Sequence, residues 1–111
     1  SGYTEIDSFY IYGVETSHDA WVKTYSSMTA RDNDLRTIDQ DPAPGIGLTL
    51  ETIHRASDNQ LDIPITPGVF HWNADNTGGQ RSNLYFSVTN LTSSSQTIVV
   101  QFKIFPLEFI T

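Results

Sequence analysis

The feature that most restricts this fold is a period of two. Ile98, Val100, Phe102 and Ile104 stand at alternate positions, while Thr97, Gln101 and Lys103 fill the other phase. Only an extended chain puts alternate residues on one face. Leu84, Phe86 and Val88 alternate in the same way with Tyr85, Ser87 and Thr89, and Ile46, Leu48 and Leu50 with Gly47, Thr49 and Glu51. A helical period never survives beyond about two turns. Composition agrees: thirteen Thr, ten Ile, six Val and thirteen aromatic residues make 42 of the 111, against 19 for Ala, Leu, Met, Glu and Lys together. Branched and ring-bearing side chains suit a half-buried pleated surface.

Along the chain, Ile6–Val14 is an aromatic and branched run, Glu15–Asp19 a polar connection and Trp21–Ala30 a second strand. Ile46–Ile53 follows, then Leu61–Thr66, whose Pro64 cannot donate to a ladder and so belongs at a sheet edge or a bulge. Val69–Trp72 is either a strand or a core-filling extended piece. Leu84–Thr89 and Thr97–Ile104, separated by the polar stretch 90–95, read as a β-hairpin. Seven or eight short strands, spaced roughly 8–14 residues apart with Gly, Pro, Asn and Asp between them, predict an all-β fold. The expected form is a two-sheet antiparallel β-sandwich of jelly-roll or immunoglobulin-like type, with a small barrel as the alternative. The 111 residues fit a single domain over 1–111, with N- and C-terminal segments able to extend past it as arms. The connection from Arg31 to Gly45 is long for such a domain and is therefore packed, functional or mobile. The chain opens at Ser1 with its lone methionine at Met28, which reads as a processed or trimmed N-terminus.

Thirteen acidic against six basic residues give a formal charge of −7. Nucleic acid and anionic membranes both require a cationic face, so neither is an expected partner. No apolar run approaches the roughly 20 residues of a membrane-spanning helix. With no cysteine, disulfides, thiolate metal sites and cysteine nucleophiles are excluded.

Three groupings raise chemistry and lead to little. The stretch Arg31–Asp41 holds four carboxylates, the kind of oxygen cluster calcium uses, but Thr37 stands where an EF-hand needs its turn glycine and Ala43 where it needs its bidentate Glu. The plainer expectation is that Asp32 and Asp34 cap or turn the backbone while Arg31 and Arg36 pair with nearby acids. His18, His54 and His71 lack a partner at zinc-ligand spacing and are expected at the surface or sheet rim. His18-Asp19 with a serine suggests a triad, yet Ser26, Ser27 and Ser87 lie in strand-like runs and no Gly-x-Ser-x-Gly elbow exists. The expectation is no enzyme, no metal and no cofactor. Asp41-Pro42-Ala43-Pro44-Gly45 reads as a rigid turn that aims the next strand. Asn90-Leu91-Thr92 is a glycosylation sequon and also an ordinary Asn/Thr loop, and 76–80 is a small-residue tip.

The aromatic residues exceed what a core of this size needs. Trp21, Trp72, Tyr3, Tyr10, Tyr12, Tyr25 and Tyr85 are amphipathic, and exposed rings anchor subunit interfaces or stack on sugars. The terminus is unusually apolar, with Phe105, Leu107, Phe109 and Ile110, so it must dock on its own domain or on another chain. The segment 21–27, the turn ending at Gly45 and the stretch from Leu84 through Glu108 resemble the small β-sandwich modules of bacteriophage virions, the capsid decoration or cement proteins and tail or fibre domains. That resemblance implies a non-catalytic virion structural protein that stabilises neighbouring capsid or tail subunits, partnered by its own copies and by other virion proteins. Trp21, Trp72, Phe109 and Ile110 are then the expected interface anchors, with Arg31 and Arg36 as polar contacts. The alternative is an extracellular carbohydrate-binding module or lectin-like adhesin that sets exposed rings beside Asp32, Asp34, Asn73 and Asp75.

Overall fold

A computed structural model describes the backbone of residues 5–42, 45–72 and 84–110, and the side chains of 9–42, 45–71 and 84–105. The chain is an all-β antiparallel sandwich of two three-stranded sheets. The strands are β1 (Glu5–Thr16), β2 (Ala20–Tyr25), β3 (Leu48–His54), β4 (Asp62–Trp72), β5 (Tyr85–Asn90) and β6 (Val100–Ile110); α1 (Met28–Asn33) follows β2 and a short 3-10 turn (Ala56–Asp58) precedes β4. One sheet runs β4-β1-β6 and the other β3-β2-β5.

The register shows a simple plan. Thr16 lies opposite Val100 and Glu15 opposite Asp62, while Ala20 lies opposite both His54 and Asn90. The three links 17–19, 55–61 and 91–99 therefore all sit at one end, each carrying the chain from one sheet to the other. Thr16 N donates to Leu61 O (2.9 Å), Ser17 N to Val99 O (3.0 Å) and Leu91 N to Asp19 O (3.2 Å), so the short 17–19 link ties the other two together. Asp19 Oδ1 also accepts from Ala56 N at 2.8 Å. β2 thus lies over β1, β3 over β4 and β5 over β6, where the rings of Phe86 and Phe102 meet edge-on at 5.3 Å.

Phe9, Ile11, Val14, Ala20 and Val22 form the buried core, flanked by Leu50, Leu84, Val88, Ile98, Val100 and Phe102. A register shift in β1 between Ile11 and Gly13 moves the inward phase from odd to even positions. Ile11 and Val14 are both fully buried while Tyr10 and Tyr12 stay outside.

Three expectations need correction. The described residues form six strands, because Leu61–Thr66 and Val69–Trp72 are one strand: β1 is a continuous template that pairs with β4 on both sides of 65–68, opposite Pro64 and opposite Val69. Pro64, Pro67 and Gly68 hide that continuity from a pattern of alternation, although Pro64 does fall on an edge strand. Second, β5 and β6 are not a hairpin: they belong to different sheets, and alternation cannot distinguish a turn within a sheet from a link across two. Third, the second strand stops at Tyr25, where Ser27 Oγ accepts from Ala30 N (3.1 Å) and caps α1. Gly47, at φ 84°, lets this helix press on the approach to β3, since a Cβ there would lie 2.7 Å from Ala30 Cβ.

Two of the three histidines also depart from expectation, while His18 lies unburied in the 17–19 link. His54 and His71 are 0% and 1% exposed, because both take inward positions. His71 lies against the Phe9 ring at 4.9 Å. His54 Nδ1 donates to Leu61 O (2.9 Å), which leaves Nε2 to accept from Thr52 Oγ1 (2.7 Å). Burial lowers the His54 pKa from its ordinary 6.5, against a smaller upward pull from the Leu61 carbonyl and Asp62. A folded pKa below the unfolded one makes stability complete above about pH 6.5 and declining as pH falls through that value. The urea midpoint of the native chain should therefore drop between pH 7 and pH 5 more steeply than that of His54→Gln, and equal slopes would remove His54 as the cause.

Candidate functional site

β2 is buried on both faces, and its outward phase is Trp21, Lys23 and Tyr25. Lys23 lies opposite Glu51 of β3, so cation and carboxylate share this face. The chain from Met28 to Gln40 folds back across it. Trp21 Nε1 donates to Glu51 Oε2 at 2.6 Å. Lys23 Nζ sits 3.7 Å from the Trp21 ring centroid, and the Arg36 guanidinium lies 5.6 Å from the same ring. Arg36 holds Asp34 bidentately, Nε to Oδ1 at 2.8 Å and Nη2 to Oδ2 at 3.1 Å, and reaches Glu51 Oε2 at 3.4 Å. Tyr25 Oη donates to Asp34 Oδ2 at 2.5 Å, and Arg36 Nη1 to Gln40 O at 3.1 Å.

Two cations and two carboxylates converge here, so the charge balances. The Arg36 guanidinium, with help from the Tyr25 hydroxyl, holds the Asp34 carboxyl well below the usual carboxylate range. Burial and then Asp34 push Tyr25 up to about 12. Lys23 is lowered chiefly by burial, with Asp34 and Glu51 pulling the other way. Arg36, Asp34, Glu51 and Tyr25 are thus partnered by one another, with the Lys23 amine on the Trp21 ring.

Trp21 is 3% exposed, so it is not the surface anchor expected of it; its ring is the floor on which the loop is fastened. Arg36 is likewise spent inside the chain, while Arg31 pairs with Asp32 at 3.2 Å and lies 5.8 Å from the Tyr85 ring. The expectation that these arginines pair with nearby acids holds, and the long Arg31–Gly45 connection is held against β2 at Asp34 and Arg36 while 37–42 are exposed. Side chains of Trp72, Phe109 and Ile110 lie outside the described residues, as do Asn73, Asp75, Tyr3 and the 76–80 tip. The backbone of Trp72 pairs with Ser8, and those of Phe109 and Ile110 pair with Ile6 and Glu5. The apolar C-terminal segment is thus zipped onto the chain's own first strand.

The rings that do face outward lie on the other sheet. Phe70, Tyr10 and Phe105 occupy one row across β4, β1 and β6, since Tyr10 is the direct partner of both phenylalanines. They are 43%, 41% and 63% exposed, and Tyr12, next along the same face, is 50% exposed. At about 200 Å² per ring, these fractions amount to roughly 400 Å² of ring surface. The Tyr10 and Phe70 rings meet edge-on, 5.9 Å apart at 68°. The nearest ion pair on this face, Lys103 with Asp62 at 3.3 Å, crosses over Gly13 beyond the row. Alternation alone marks Tyr10 and Tyr12 as outward; it cannot bring Phe70 and Phe105 beside them, because that requires the pairing of three distant segments.

Elsewhere the chemistry is sparse. Ser26, Ser27, Thr29, Asn33 and Ile46 line a cleft of about 430 Å³ between α1 and the approach to β3, with hydroxyls and an amide but no titratable group. Ser17 Oγ meets His18 Nδ1 at 2.8 Å, yet Asp19 turns to the Ala56 amide instead of orienting that imidazole. Among the described residues no group of three or more His, Asp or Glu is placed to hold a metal ion. In comparison with protein-family models, curated proteins and solved structures, no match to the chain was found.

Removing Asp34 would leave Arg36 buried without its main partner and Tyr25 without its acceptor. Asp34→Ala should cost about 3 kcal/mol, and the Trp21 emission should shift to the red as the loop lifts. A variant with native stability and unchanged emission would show that the clamp does not hold the loop.

Proposed function

We propose that this protein is a non-catalytic structural module that docks onto neighbouring subunits of a larger assembly through the outer face of its β4-β1-β6 sheet. The supporting observation is the row Phe70, Tyr10 and Phe105, extended by Tyr12. A contiguous aromatic patch of several hundred Å² on an otherwise acidic, soluble-looking surface marks an interaction site. The other sheet supplies the contrast, because there Asp34 and Arg36 return over Tyr25 and Trp21 and leave those rings 0% and 3% exposed. The resemblance of segments 21–27, 41–45 and 84–108 to phage virion modules supports a capsid or tail as that assembly and the virion as the place of action in this proposal. A protein that binds only the assembled lattice stabilises it by mass action.

The glycan-binding alternative draws less support. Of its four hydroxyl partners, Asp32 and Asp34 are already engaged by Arg31 and Arg36, and Asn73 and Asp75 lie outside the described residues. Tyr10 and Phe70 stand at a steep angle to each other, which suits the irregular surface of a protein better than the flat face of a sugar.

The test is co-sedimentation of the purified chain with capsids and tails of a phage whose genome encodes it. Tyr10→Ser and Phe105→Ser should each lower the bound fraction about tenfold or more while leaving the Trp21 emission unchanged. A chain that never travels with particles, or one whose binding ignores both substitutions, would remove this reading.

A further inference from the structure

The outer face of the β4-β1-β6 sheet does not end at its rings. After the register shift between Ile11 and Gly13, the outward phase of β1 continues through Gly13 to Glu15, which lies opposite Asp62 on β4 and Gln101 on β6. Direct antiparallel partners share a face, so two carboxylates stand side by side there, an arrangement that costs stability unless a cation answers it. Lys103 answers one of them: its amine lies 3.3 Å from both oxygens of Asp62. The Glu15 carboxylate has no hydrogen bond or ion pair among the described residues.

Beside Glu15 the surface is concave. Glu15, Thr16, Ser17, Val99 and Gln101 line a hollow of about 220 Å³, at the end of the molecule where the links 17–19, 55–61 and 91–99 gather. Its wall is fixed, because Ser17 N donates to Val99 O (3.0 Å) and Val99 N donates to Ser17 Oγ (2.9 Å). Val99, 55% exposed, gives the hollow an aliphatic side, and Gln101 adds an amide oxygen on the strand next to Glu15. A carboxylate and an amide oxygen beside an aliphatic wall suit the ammonium or guanidinium of a long basic side chain, whose methylene stem can lie along the wall.

We infer that the subunit docked on this face carries a lysine or arginine that enters the hollow and pairs with Glu15, roughly 15 Å along the strand from the apolar patch laid on Phe70, Tyr10 and Phe105. The inference rests on the docking reading above and names the chemistry of its partner. Charge complementarity selects it. Four of the chain's six basic residues are engaged elsewhere: Lys103, Arg31 and Arg36 pair with Asp62, Asp32 and Asp34, and Lys23 is buried on the Trp21 ring. A second copy, with a formal charge of −7, is a poor source of the missing cation, whereas a different subunit with a basic residue at the rim of an apolar patch matches both parts of the face.

The particle-binding measurement, repeated from low to high salt, tests it. Glu15→Gln keeps the side-chain shape and removes one of two facing carboxylates, so its urea midpoint is expected at or above that of the native chain. Its affinity for the particles should nevertheless be about five- to tenfold weaker at low ionic strength, with the native affinity falling toward the variant's as salt is added. Asp41→Asn, which removes the same charge from the exposed connection after α1, should bind as the native chain does. Binding that is lost with Tyr10→Ser yet indifferent to Glu15→Gln at every salt concentration would overturn the basic contact and leave the docking face standing. An equal loss with Asp41→Asn would reduce the effect to net charge, and a lowered urea midpoint for Glu15→Gln would make Glu15 a residue of the fold; either result overturns the inference. A native chain that never binds particles would remove this inference together with the reading it rests on.

Discussion

Two sheets packed face to face bury two of their four faces, and whatever stands on the other two must be dealt with separately. That constraint organises this molecule. β2 runs through the centre of one sheet with Trp21, Lys23 and Tyr25 facing out, a set that would be costly to leave half-solvated and equally costly to bury unpaired. The chain meets both demands by bringing Asp34 and Arg36 back over them, where Arg36 pairs with Asp34 and Glu51 and the Lys23 amine lies on the Trp21 ring. On the opposite sheet the corresponding positions hold Tyr10, Tyr12, Phe70 and Phe105, which remain substantially exposed. The asymmetry between these faces, more than any single residue, carries the functional reading.

Geometry at the two ends reinforces it. The sheet that bears the open rings has strands of 11 or 12 residues, the covered sheet strands of 6 or 7. At about 3.3 Å per residue the first is nearly twice as long as the second, so part of it runs beyond the shorter sheet. Three of the four sheet-to-sheet links, 17–19, 55–61 and 91–99, gather at the other end, fastened around Thr16–Asp19. One end is thus cross-tied while the other carries the paired β1 and β6 ends.

Much of this was legible in the sequence, and what escaped did so for physical reasons. Alternation at Ile98–Ile104 and Leu84–Val88, and the weight of Thr, Ile, Val and rings, lead directly to a sandwich, because a period of two is a property of single strands. Pairing is not. β5 and β6 look like a hairpin in sequence because a nine-residue polar link serves equally well within a sheet or between two; β4 looks like two strands because its prolines interrupt the pattern that β1 restores by pairing. Trp21 looks like a surface anchor because its phase is outward, and only the fold shows that Arg36, fifteen residues later, returns to cover it. His54 looks like a rim residue until Leu61 O and Thr52 supply partners for both of its nitrogens. Conversely the aromatic row assembles residues 10, 70 and 105, whose adjacency no local pattern encodes.

The most direct measurement is hydroxyl-radical footprinting of the chain, first alone and then bound to particles. The account predicts rapid labelling of Tyr10, Tyr12, Phe70 and Phe105 in the free protein, strong protection of those four on the particle, and Trp21 slow in both states. Trp21 labelled as fast as Phe105 in the free chain, or four rings equally reactive free and bound, would contradict it.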